Sequence, residues 1–377
     1  MKIDLNRTNG TDLKILSMEK YDYLIVGSGL TGAMYAYFLK KHGKCLVMDR
    51  NAYVGGLCRT ELVEGIHVHK YGAHIFRTDN KEVWDFVNSF MEFKPFINTP
   101  IAVKDGKVYN LPFNMNTFAQ LYGVVTPSEA ARKIQEDTIF FDTPQNMEEY
   151  VLSKLGKAIY LELVEGYTEK QWGKPCRMLP ADTIKHLPIR LSYNNNYYNE
   201  KYQGVPIYGY SEFIRMLLDG CEIVQEEFSQ ELHKKLAKKI VYTGALDELF
   251  GFADGKLDFR SVKFEHKLYK QENRQGVAVC NYTGLEVPYT RTIEHKHFLG
   301  EKSDNTIISF ETPCSPIETG MRIYPIRDKR NLDIQTAYLY KVDKKNYICC
   351  GQQADYQSYN MNNIITKVLT WAKKYKL

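Results

Sequence analysis

Apolar residues in this chain occur in short runs that end at glycines or polar turns. The first run, Tyr21–Val26, stops at Gly27, and Ala33–Lys41 after it predicts a helix. A second run, Lys44–Met48, predicts a strand that ends at Asp49. Residues 21–80 therefore predict a first βαβ unit.

The middle of the chain, residues 113–200, has the pattern of helices. Pro127 and Pro144 mark helix starts, and Ile159–Trp172 carries apolar residues at helical spacing. Ser192–Gln203 follows as a loop rich in Asn and Tyr, without the apolar content to pack on itself. We predict that this loop is a mobile lid.

Strand character returns in the last part of the chain. Lys239–Thr243 reads as a parallel strand that ends in a glycine turn, so it is expected to rejoin the first sheet. The remaining predicted elements are strands at Glu222–Val224, Phe259–Phe264, Val277–Tyr282 and Asn346–Gly351, and a final helix at Asn360–Lys374.

The turn after the first strand carries the chemical signal. Gly27 permits a tight turn, Gly29 lets the backbone approach a pyrophosphate, and Gly32 lets the helix pack on the sheet. Asp49 lies about 20 residues on, where an acid accepts ribose hydroxyls. The pair Gly55-Gly56 follows closely and favours FAD over NAD; a glycine turn in an unrelated α/β protein is the remaining alternative.

These patterns predict an α/β fold: a Rossmann-like FAD-binding domain, a helical insert, and a mixed or antiparallel β-sheet substrate domain. The predicted FAD domain is discontinuous, and the N-terminal residues form an extension, with Met18 as an alternative start. The expected boundaries are 1–17 for the extension, 18–90 with 205–255 and 340–377 for the FAD domain, 113–200 for the insert, and 91–112 with 256–339 for the sheet domain.

Composition narrows the function classes. The net charge is +5 without a block of Lys or Arg, so nucleic acid is not an expected partner, whereas an anionic small substrate is compatible. We find no apolar run of bilayer length and no signal peptide. The eight cysteines contain no CxxC pair, which favours a reduced, cytoplasmic protein.

The segment Ile66–Phe76 has strand character and contains His67, His69 and His74. Zinc is one interpretation, but the spacing matches no common ligand pattern. We therefore expect polar groups that line a flavin face, and no metal.

Several blocks resemble bacterial UDP-galactopyranose mutases. The blocks are Gly166–Gly173 (GYTEKQWG), His69–Phe76 (HKYGAHIF), Asn110–Phe118 (NLPFNMNTF), Tyr202–Gly204 (YQG) and Val287–Phe298 (VPYTRTIEHKHF). The resemblance runs from about residue 20 to 300 and continues more weakly to the end.

The resemblance implies an isomerase that interconverts UDP-galactopyranose and UDP-galactofuranose without net redox change, supplying furanose sugars for cell-surface polysaccharide. In this family reduced FAD attacks the anomeric carbon through N5, and a covalent flavin–sugar intermediate opens and recloses. The implied partners are a nucleotide-sugar substrate and a flavin-reducing donor or reductase, with a homodimer as one assembly to test.

The resemblance also assigns residues, position by position. Arg291 would grip the diphosphate, and Tyr167, Thr168 and Trp172 would hold the nucleoside; a structural ion pair and plain packing are the alternatives for Arg291 and Trp172. The other implied catalytic residues are His69, for which packing is an equal alternative, and Tyr324. Further implied substrate residues are Asn98, His186, Tyr197, Arg260, Asn281, Glu311, Arg322 and Tyr359. The expected cofactor residues are Gly27, Gly29, Thr31, Gly32, Asp49, Arg50, Gly55, Gly56, Leu57, Val68, His69, Gln352, Tyr359, Asn360 and Met361.

The chain departs from the family where the sugar and diphosphate would lie. His186 and Gln352 stand where the family has arginines, Asn360 stands for an acid, and Arg322 is an added cation. Charge-assisted hydrogen bonds contribute roughly 1.5–3 kcal/mol each. Two uncompensated losses would weaken transition-state binding on the order of 10²–10⁴-fold.

Three alternatives follow. The first is the same ring contraction on another nucleotide sugar such as dTDP-fucopyranose, which a panel of substrates would separate. The second is an amine-oxidase-type flavin oxidoreductase, which predicts hydride transfer and peroxide. The third is a binding protein without a working diphosphate clamp, which predicts ligand binding without turnover.

Overall fold

The apolar run Tyr21–Val26 forms β1, the central strand of a parallel sheet, in a computed structural model that describes residues 20–184 and 189–377. Parallel neighbours require crossover connections rather than hairpins. Glycine turns and helices provide them, as the sequence pattern predicts.

The strands, in chain order, are β1 (Tyr21–Val26), β2 (Cys45–Asp49), β3 (Thr60–Val63), β4 (Ile66–His69), β5 (Phe76–Thr78), β6 (Phe93–Pro95), β7 (Ile101–Lys104), β8 (Lys107–Asn110), β9 (Tyr202–Pro206), β10 (Glu222–Gln225), β11 (Ala237–Tyr242), β12 (Phe259–Tyr269), β13 (Val279–Tyr282), β14 (Arg291–Glu294), β15 (Thr306–Cys314), β16 (Tyr324–Pro325) and β17 (Tyr347–Cys349). The helices are α1 (Leu30–Leu39), α2 (Lys81–Asn88), α3 (Met115–Tyr122), α4 (Pro127–Asp137), α5 (Met147–Lys154), α6 (Lys157–Ile159), α7 (Glu165–Trp172), α8 (Gly209–Leu218), α9 (Gln230–His233), α10 (Leu246–Leu249), α11 (Pro316–Thr319), α12 (Lys329–Lys341) and α13 (Met361–Tyr375). A π-helical turn, Tyr160–Val164, joins α6 to α7.

The chain divides into two compact units. The first, whose described residues are 20–57, 211–258 and 325–377, contains a five-stranded parallel sheet in the order β10-β2-β1-β11-β17. Leu24 in β1 lies opposite Leu46 on one side and Ile240 on the other, and all three are buried. This apolar centre fixes the register, because a shift by one residue would turn these side chains to the other face.

The second unit, residues 58–210 and 259–324, contains a seven-stranded sheet in the order β16-β12-β15-β14-β13-β7-β8. Its neighbours are antiparallel from β12 to β13, whereas β13 and β7 are parallel. Helices α3 to α7 enclose a separate apolar core that includes Phe118, Val151 and Ile159. The fold class predicted from the sequence, an α/β protein with parallel and mixed sheets, is confirmed.

Local differences from the prediction have physical causes. Ile66–Phe76 is not one strand: it contains β4 and ends at the first residue of β5, because Gly72 at φ +99° turns the chain between them. Helix α5 begins at Met147 rather than near Pro144, since the Asn146 side chain caps it. Strand β15 and helix α12 were not predicted.

The unit boundaries also differ from the expected domain boundaries. Residues 58–90, expected in the cofactor domain, lie in the second unit, where β3 pairs with β4. Helix α12, expected in the sheet domain, lies in the first unit, where Tyr338 is buried in the core of the parallel sheet.

The polar loop Ser192–Gln203 contains no helix or strand before β9 begins at Tyr202. Side-chain amides attach it to the helical insert: Asn114 Nδ2 donates to Asn195 Oδ1 at 2.7 Å. The Met115 N–H donates to the Ser192 carbonyl at 3.0 Å. Its role as a lid stays a prediction. His186, the N-terminal extension and Met18 lie outside the described residues.

Candidate active site

The turn after β1 contains two glycines that the backbone itself requires. Gly27 has φ +100°, and a Cβ there would lie 2.1 Å from Thr243 Oγ1. A Cβ on Gly32 would lie 1.9 Å from the Gly27 carbonyl oxygen. Larger residues would therefore push α1 away from the turn.

Gly29, Gly55 and Gly56 form a cradle of main-chain groups beside this turn. A Cβ on Gly56 would lie 3.0 Å from Gly29 Cα, and the Gly55 N–H donates to the Ser28 carbonyl at 3.0 Å. Helix α1 starts next to this cradle with no side-chain cap and no acid in its first turn. Its free N–H groups suit a bound anion, so the cradle fits the pyrophosphate of a dinucleotide cofactor.

Asp49 lies at the end of β2, where a ribose-binding acid was expected. Its Oδ2 accepts from the N–H and the hydroxyl of Ser28, both at 2.7 Å. Its Oδ1 accepts from the Asn51 N–H at 2.8 Å and from Asn51 Nδ2 at 3.0 Å. These bonds fill the capacity of a carboxylate, so a ribose hydroxyl would have to replace one of them. The exposed Asn51 side chain is the partner most easily displaced.

The C-terminal segment returns to the start of α1. Gly351, at φ +93°, lies so close that a Cβ would be 2.9 Å from Thr31 Oγ1. The Tyr359 hydroxyl donates to Asp355 Oδ2 at 3.0 Å, and the Tyr359 N–H lies 3.5 Å from Gln352 Oε1. Thr31, Gln352 and Tyr359 thus belong to one neighbourhood in the first unit.

Other expected cofactor residues have structural roles. Asn360 caps α13 through its side chain, and Met361 is the first residue of that helix. Arg50 is exposed after β2, and Leu57 lies in the turn that ends the first unit. Val68, in the second unit, is buried in a small apolar cluster.

His69 is buried in the second unit with a fixed tautomer. Its Nδ1 accepts from the His74 N–H at 3.1 Å, so the neutral ring carries its proton on Nε2. That Nε2 is buried and has no hydrogen-bond partner among the described residues. The ring stacks on Phe298 with centroids 4.7 Å apart. An unsatisfied buried donor of this kind fits a bound acceptor such as a flavin edge.

A chain of neutral histidines supports His69. The His69 N–H donates to His295 Nδ1 at 3.2 Å. His295 Nε2 donates to Ser309 Oγ at 2.5 Å, and that hydroxyl donates to His266 Nδ1 at 2.6 Å. Burial lowers the pKa of His295 to about 3 and that of His266 to about 4, and it lowers the pKa of His69 well below its usual value.

Strand register places a row of functional side chains across the larger sheet. Asn281 in β13 lies opposite Arg291 in β14, and Arg291 lies opposite Glu311 in β15. Glu311 in turn lies opposite Phe264 in β12. Directly opposite residues share a sheet face, so these four side chains form one row.

Arg291 and Glu311 form an ion pair in this row. Arg291 Nε and Nη2 each lie 2.6 Å from Glu311 Oε2, and the Glu311 side chain is 4% exposed whereas that of Arg291 is 27% exposed. Burial opposes the charge of Arg291, but Glu311, Tyr167 and Tyr324 together outweigh it and raise the Arg291 pKa well above its usual value. Glu311 Oε1 has no hydrogen-bond partner among the described residues.

Gly72 lies over this pair. A Cβ there would be 3.1 Å from Glu311 Oε1 and 3.9 Å from Arg291 Nη2. A larger residue at position 72 would therefore crowd the ion pair.

Three tyrosines surround the charged pair. Burial raises the pKa of Tyr167 and Tyr197, although nearby Arg291 acts in the opposite direction. Burial also raises the pKa of Tyr324 to about 12, against the effect of Arg291. All three hydroxyls therefore stay protonated near neutral pH and can donate hydrogen bonds to anionic oxygens.

Helix α7 carries the residues expected at the nucleoside. Tyr167 is partly buried and Thr168 is buried, whereas Trp172 is partly exposed and packs against the apolar core of the insert. Trp172 therefore packs on this core whether or not it also contacts a nucleoside.

The remaining expected substrate residues are dispersed. Asn98 is buried with its Oδ1 unpaired among the described residues, and its carbonyl accepts the Tyr197 N–H at 2.8 Å. The Arg260 guanidinium donates to carbonyls at the end of α7, including Gln171 O at 3.2 Å. The Arg322 guanidinium lies 5.2 Å from the centroid of the Phe259 ring.

Sequence reasoning missed four residues of this site: Gly72, Lys170, Thr290 and Ser309. The first three lie inside the quoted blocks, so the signal was present without an assigned role. Ser309 lies in the unpredicted strand β15, where nothing in the sequence marks it.

The described part of the chain contains no group of three or more His, Cys, Asp or Glu side chains arranged to hold a metal ion. Among its helices, none is long and apolar enough to cross a membrane.

Known proteins resemble this chain along most of its length. Residues 162–358 match the family model described as UDP-galactopyranose mutase, and residues 25–90 match an NAD(P)-binding Rossmann-like domain. The chain is 34% identical to a probable UDP-galactopyranose mutase of Klebsiella pneumoniae, with 95% of each chain covered. It is 32% identical to dTDP-fucopyranose mutase of Escherichia coli, with 93% of this chain and 97% of the relative covered.

Solved structures show the same fold. A reduced UDP-galactopyranose mutase matches with a TM-score of 0.71 at 13% identity, covering 94% of this chain and 93% of that chain. A putative protoporphyrinogen oxidase from Exiguobacterium sp. matches with a TM-score of 0.63 at 11% identity, covering 95% and 100%.

Two alanine variants separate turn stability from cofactor binding. Gly32→Ala should destabilise the protein by about 1–3 kcal/mol, because its Cβ collides with backbone. Gly29→Ala should leave stability near wild type, because its Cβ meets nothing closer than 3.7 Å, yet it should weaken flavin binding by filling the cradle. Thermal unfolding of the flavin-free protein and flavin absorbance after reconstitution measure the two effects. A Gly29→Ala protein that holds flavin as wild type does would exclude the cradle as the cofactor site.

The neutral histidines predict acid sensitivity. His295 and His266 stay uncharged when folded but protonate near their usual pKa of 6.5 when unfolded. The free energy of unfolding should therefore fall as pH drops from about 6.5 towards 4. Urea midpoints at several pH values should show a smaller fall for His295→Asn, which keeps an acceptor for His69, and an unchanged fall for the exposed control His42→Asn. Equal pH dependence in wild type and His295→Asn would contradict this assignment.

Proposed function

The chain belongs to the UDP-galactopyranose mutase family, and on that premise we propose how its residues interconvert UDP-galactopyranose and UDP-galactofuranose. The observation that carries the proposal is the Arg291–Glu311 pair, aligned by strand register and ringed by protonated tyrosines. A partly exposed guanidinium held by a buried carboxylate is suited to a diphosphate.

The enzyme binds a flavin, and we assign it as FAD in its two-electron-reduced form. The glycine cradle at the start of α1 fits its pyrophosphate. Within the second unit, the unsatisfied His69 Nε2 fits a buried acceptor. Thr31, Gln352 and Tyr359 would hold further parts of the cofactor. When bound and reduced, the flavin supplies the nucleophile for the anomeric carbon.

Arg291 is the residue that would bind the diphosphate. Its Nε and Nη2 are directed to Glu311, so the Nη1 edge is left for phosphate oxygens. Glu311 holds the guanidinium in one orientation before substrate arrives, which reduces the reorganisation that binding requires. As the diphosphate leaves the sugar, this fixed positive charge stabilises the charge that develops on it.

Neutral groups complete the site. Tyr167, Thr168 and Trp172 would contact the nucleoside, and the hydroxyls of Tyr197 and Tyr324 would donate to the diphosphate. His69, held neutral by burial, adds a hydrogen-bond donor without adding a second charge.

We place the enzyme in the cytoplasm with a flavin-reducing donor or reductase, producing furanose sugars for cell-surface polysaccharide. Its eight cysteines are all free thiols, as a reducing compartment would keep them. A homodimer is a further assembly to test.

A second candidate function is the same ring contraction on a different nucleotide sugar. The dTDP-fucopyranose mutase of Escherichia coli covers the chain almost as fully as the galactose relative does. The added cation Arg322 falls at an expected substrate-side position, which favours testing a 6-deoxyhexose.

Product analysis decides between the two sugars. Dithionite-reduced enzyme should convert UDP-galactofuranose to UDP-galactopyranose, and the oxidised enzyme should not. A panel of UDP- and dTDP-linked hexoses provides the comparison, with peroxide measured as the control for oxidase activity. Turnover of dTDP-fucofuranose alone would move the assignment to the second sugar, and stoichiometric peroxide without ring contraction would overturn the mutase assignment.

A further inference from the structure

Lys170, near the end of α7, has its ammonium group enclosed by backbone carbonyls. Its Nζ donates to the carbonyls of Tyr282 at 3.0 Å, Val287 at 3.2 Å and Tyr289 at 3.0 Å. An ammonium has three N–H donors, so every one is used. Tyr282 is the last residue of β13, and Val287 and Tyr289 lie in the connection from β13 to β14.

The same face of α7 makes two further contacts with this connection. Gly166 lies so close that a Cβ would be 2.4 Å from the Thr283 carbonyl oxygen. The Thr290 side chain lies close enough to the Tyr167 hydroxyl to lower its pKa, against the larger effect of burial. Residues 166, 167 and 170 lie on one side of a helix, so α7 docks on the connection along a single face.

The connection leads directly into the diphosphate clamp. The Thr290 N–H donates to the Glu311 carbonyl at 2.9 Å, and Arg291 is the next residue. Residues 282–290 therefore determine where Arg291 enters β14. Lys170 attaches that segment to the helix that carries Tyr167.

We propose that Lys170 is a positioning residue: its ammonium fixes α7 to the β13–β14 connection, so that Tyr167 and Arg291 face one nucleoside diphosphate together. This inference rests on the proposed function, which places the nucleoside at α7 and the diphosphate at Arg291. Lys170 itself touches neither ligand.

The clamp is sensitive to pH in a defined direction. Burial lowers the pKa of Lys170 to about 8, although Glu286 in the connection raises it. Glu165 and Glu169 are the acids on α7, and from β12 the Arg260 guanidinium donates to the Lys170 carbonyl at 3.4 Å. A neutral amine has only two N–H donors, so one carbonyl loses its partner as pH rises through about 8. UDP binding should weaken over the same range.

The test is the dissociation constant for UDP of flavin-loaded protein, measured calorimetrically from about pH 6.5 to 9.5. The variants are Lys170→Gln, which lacks the charge, and Lys170→Arg, which keeps it throughout. Lys174→Gln, at an exposed lysine just past the same helix, is the matched control. Thermal unfolding and flavin absorbance verify folding of each protein.

We expect Lys170→Gln to bind UDP about tenfold more weakly at pH 7, because a hydrogen-bonded charge is lost. Wild type and Lys174→Gln should weaken above about pH 8, whereas Lys170→Arg should not show that step. Ionisation of the uracil ring contributes equally to all four proteins, so their differences report the lysine.

Identical pH profiles for wild type and Lys170→Arg would overturn the inference, as would unchanged affinity in Lys170→Gln. If Lys170→Gln does not fold, the comparison of wild type with Lys170→Arg decides alone. A wild type that fails to bind UDP at any pH would overturn the proposed function and this inference together.

Discussion

The ion pair between Arg291 and Glu311 is the constraint on which the site depends. A carboxylate that is 4% exposed is costly to bury unless a cation meets it in good geometry. The register of β14 against β15 provides that geometry by placing the two residues directly opposite each other. Because Glu311 uses one side of the guanidinium, the other side is available to a ligand, and Gly72 leaves room beside it.

The buried histidine chain contributes hydrogen bonds rather than charge. Burial keeps His69, His295 and His266 neutral near pH 7, so they add hydrogen bonds without competing cations. The protonated Lys170 ammonium donates all three of its hydrogen bonds to backbone carbonyls, so none is left for a ligand. In the first unit, the free N–H groups at the start of α1 suit an anion, and the first turn of that helix contains no acidic side chain.

Local signals predicted much of the fold. Gly27 and Gly32 marked the first turn because only glycine fits those backbone positions, and Pro127 marked α4 because proline suits a first helical turn. The row Asn281–Arg291–Glu311 was assigned by resemblance alone, since register between distant strands is a tertiary property that one sequence does not display. For the same reason the roles of Gly72 and Lys170 were missed: each depends on backbone from a distant segment. Asp49 is the opposite case: the sequence motif identified it, but in the fold both of its carboxylate oxygens already accept hydrogen bonds from Ser28 and Asn51.

The most direct test of the central claim is substitution of the clamp with its charge preserved. Arg291→Lys keeps a cation for Glu311 but loses the planar fork that binds two oxygens at once. The account predicts that turnover of UDP-galactofuranose by reduced enzyme falls about 10- to 100-fold, while the flavin spectrum and thermal stability stay near wild type. Loss of flavin with little loss of turnover per bound flavin would contradict it, because Arg291 would then belong to the cofactor rather than to the diphosphate.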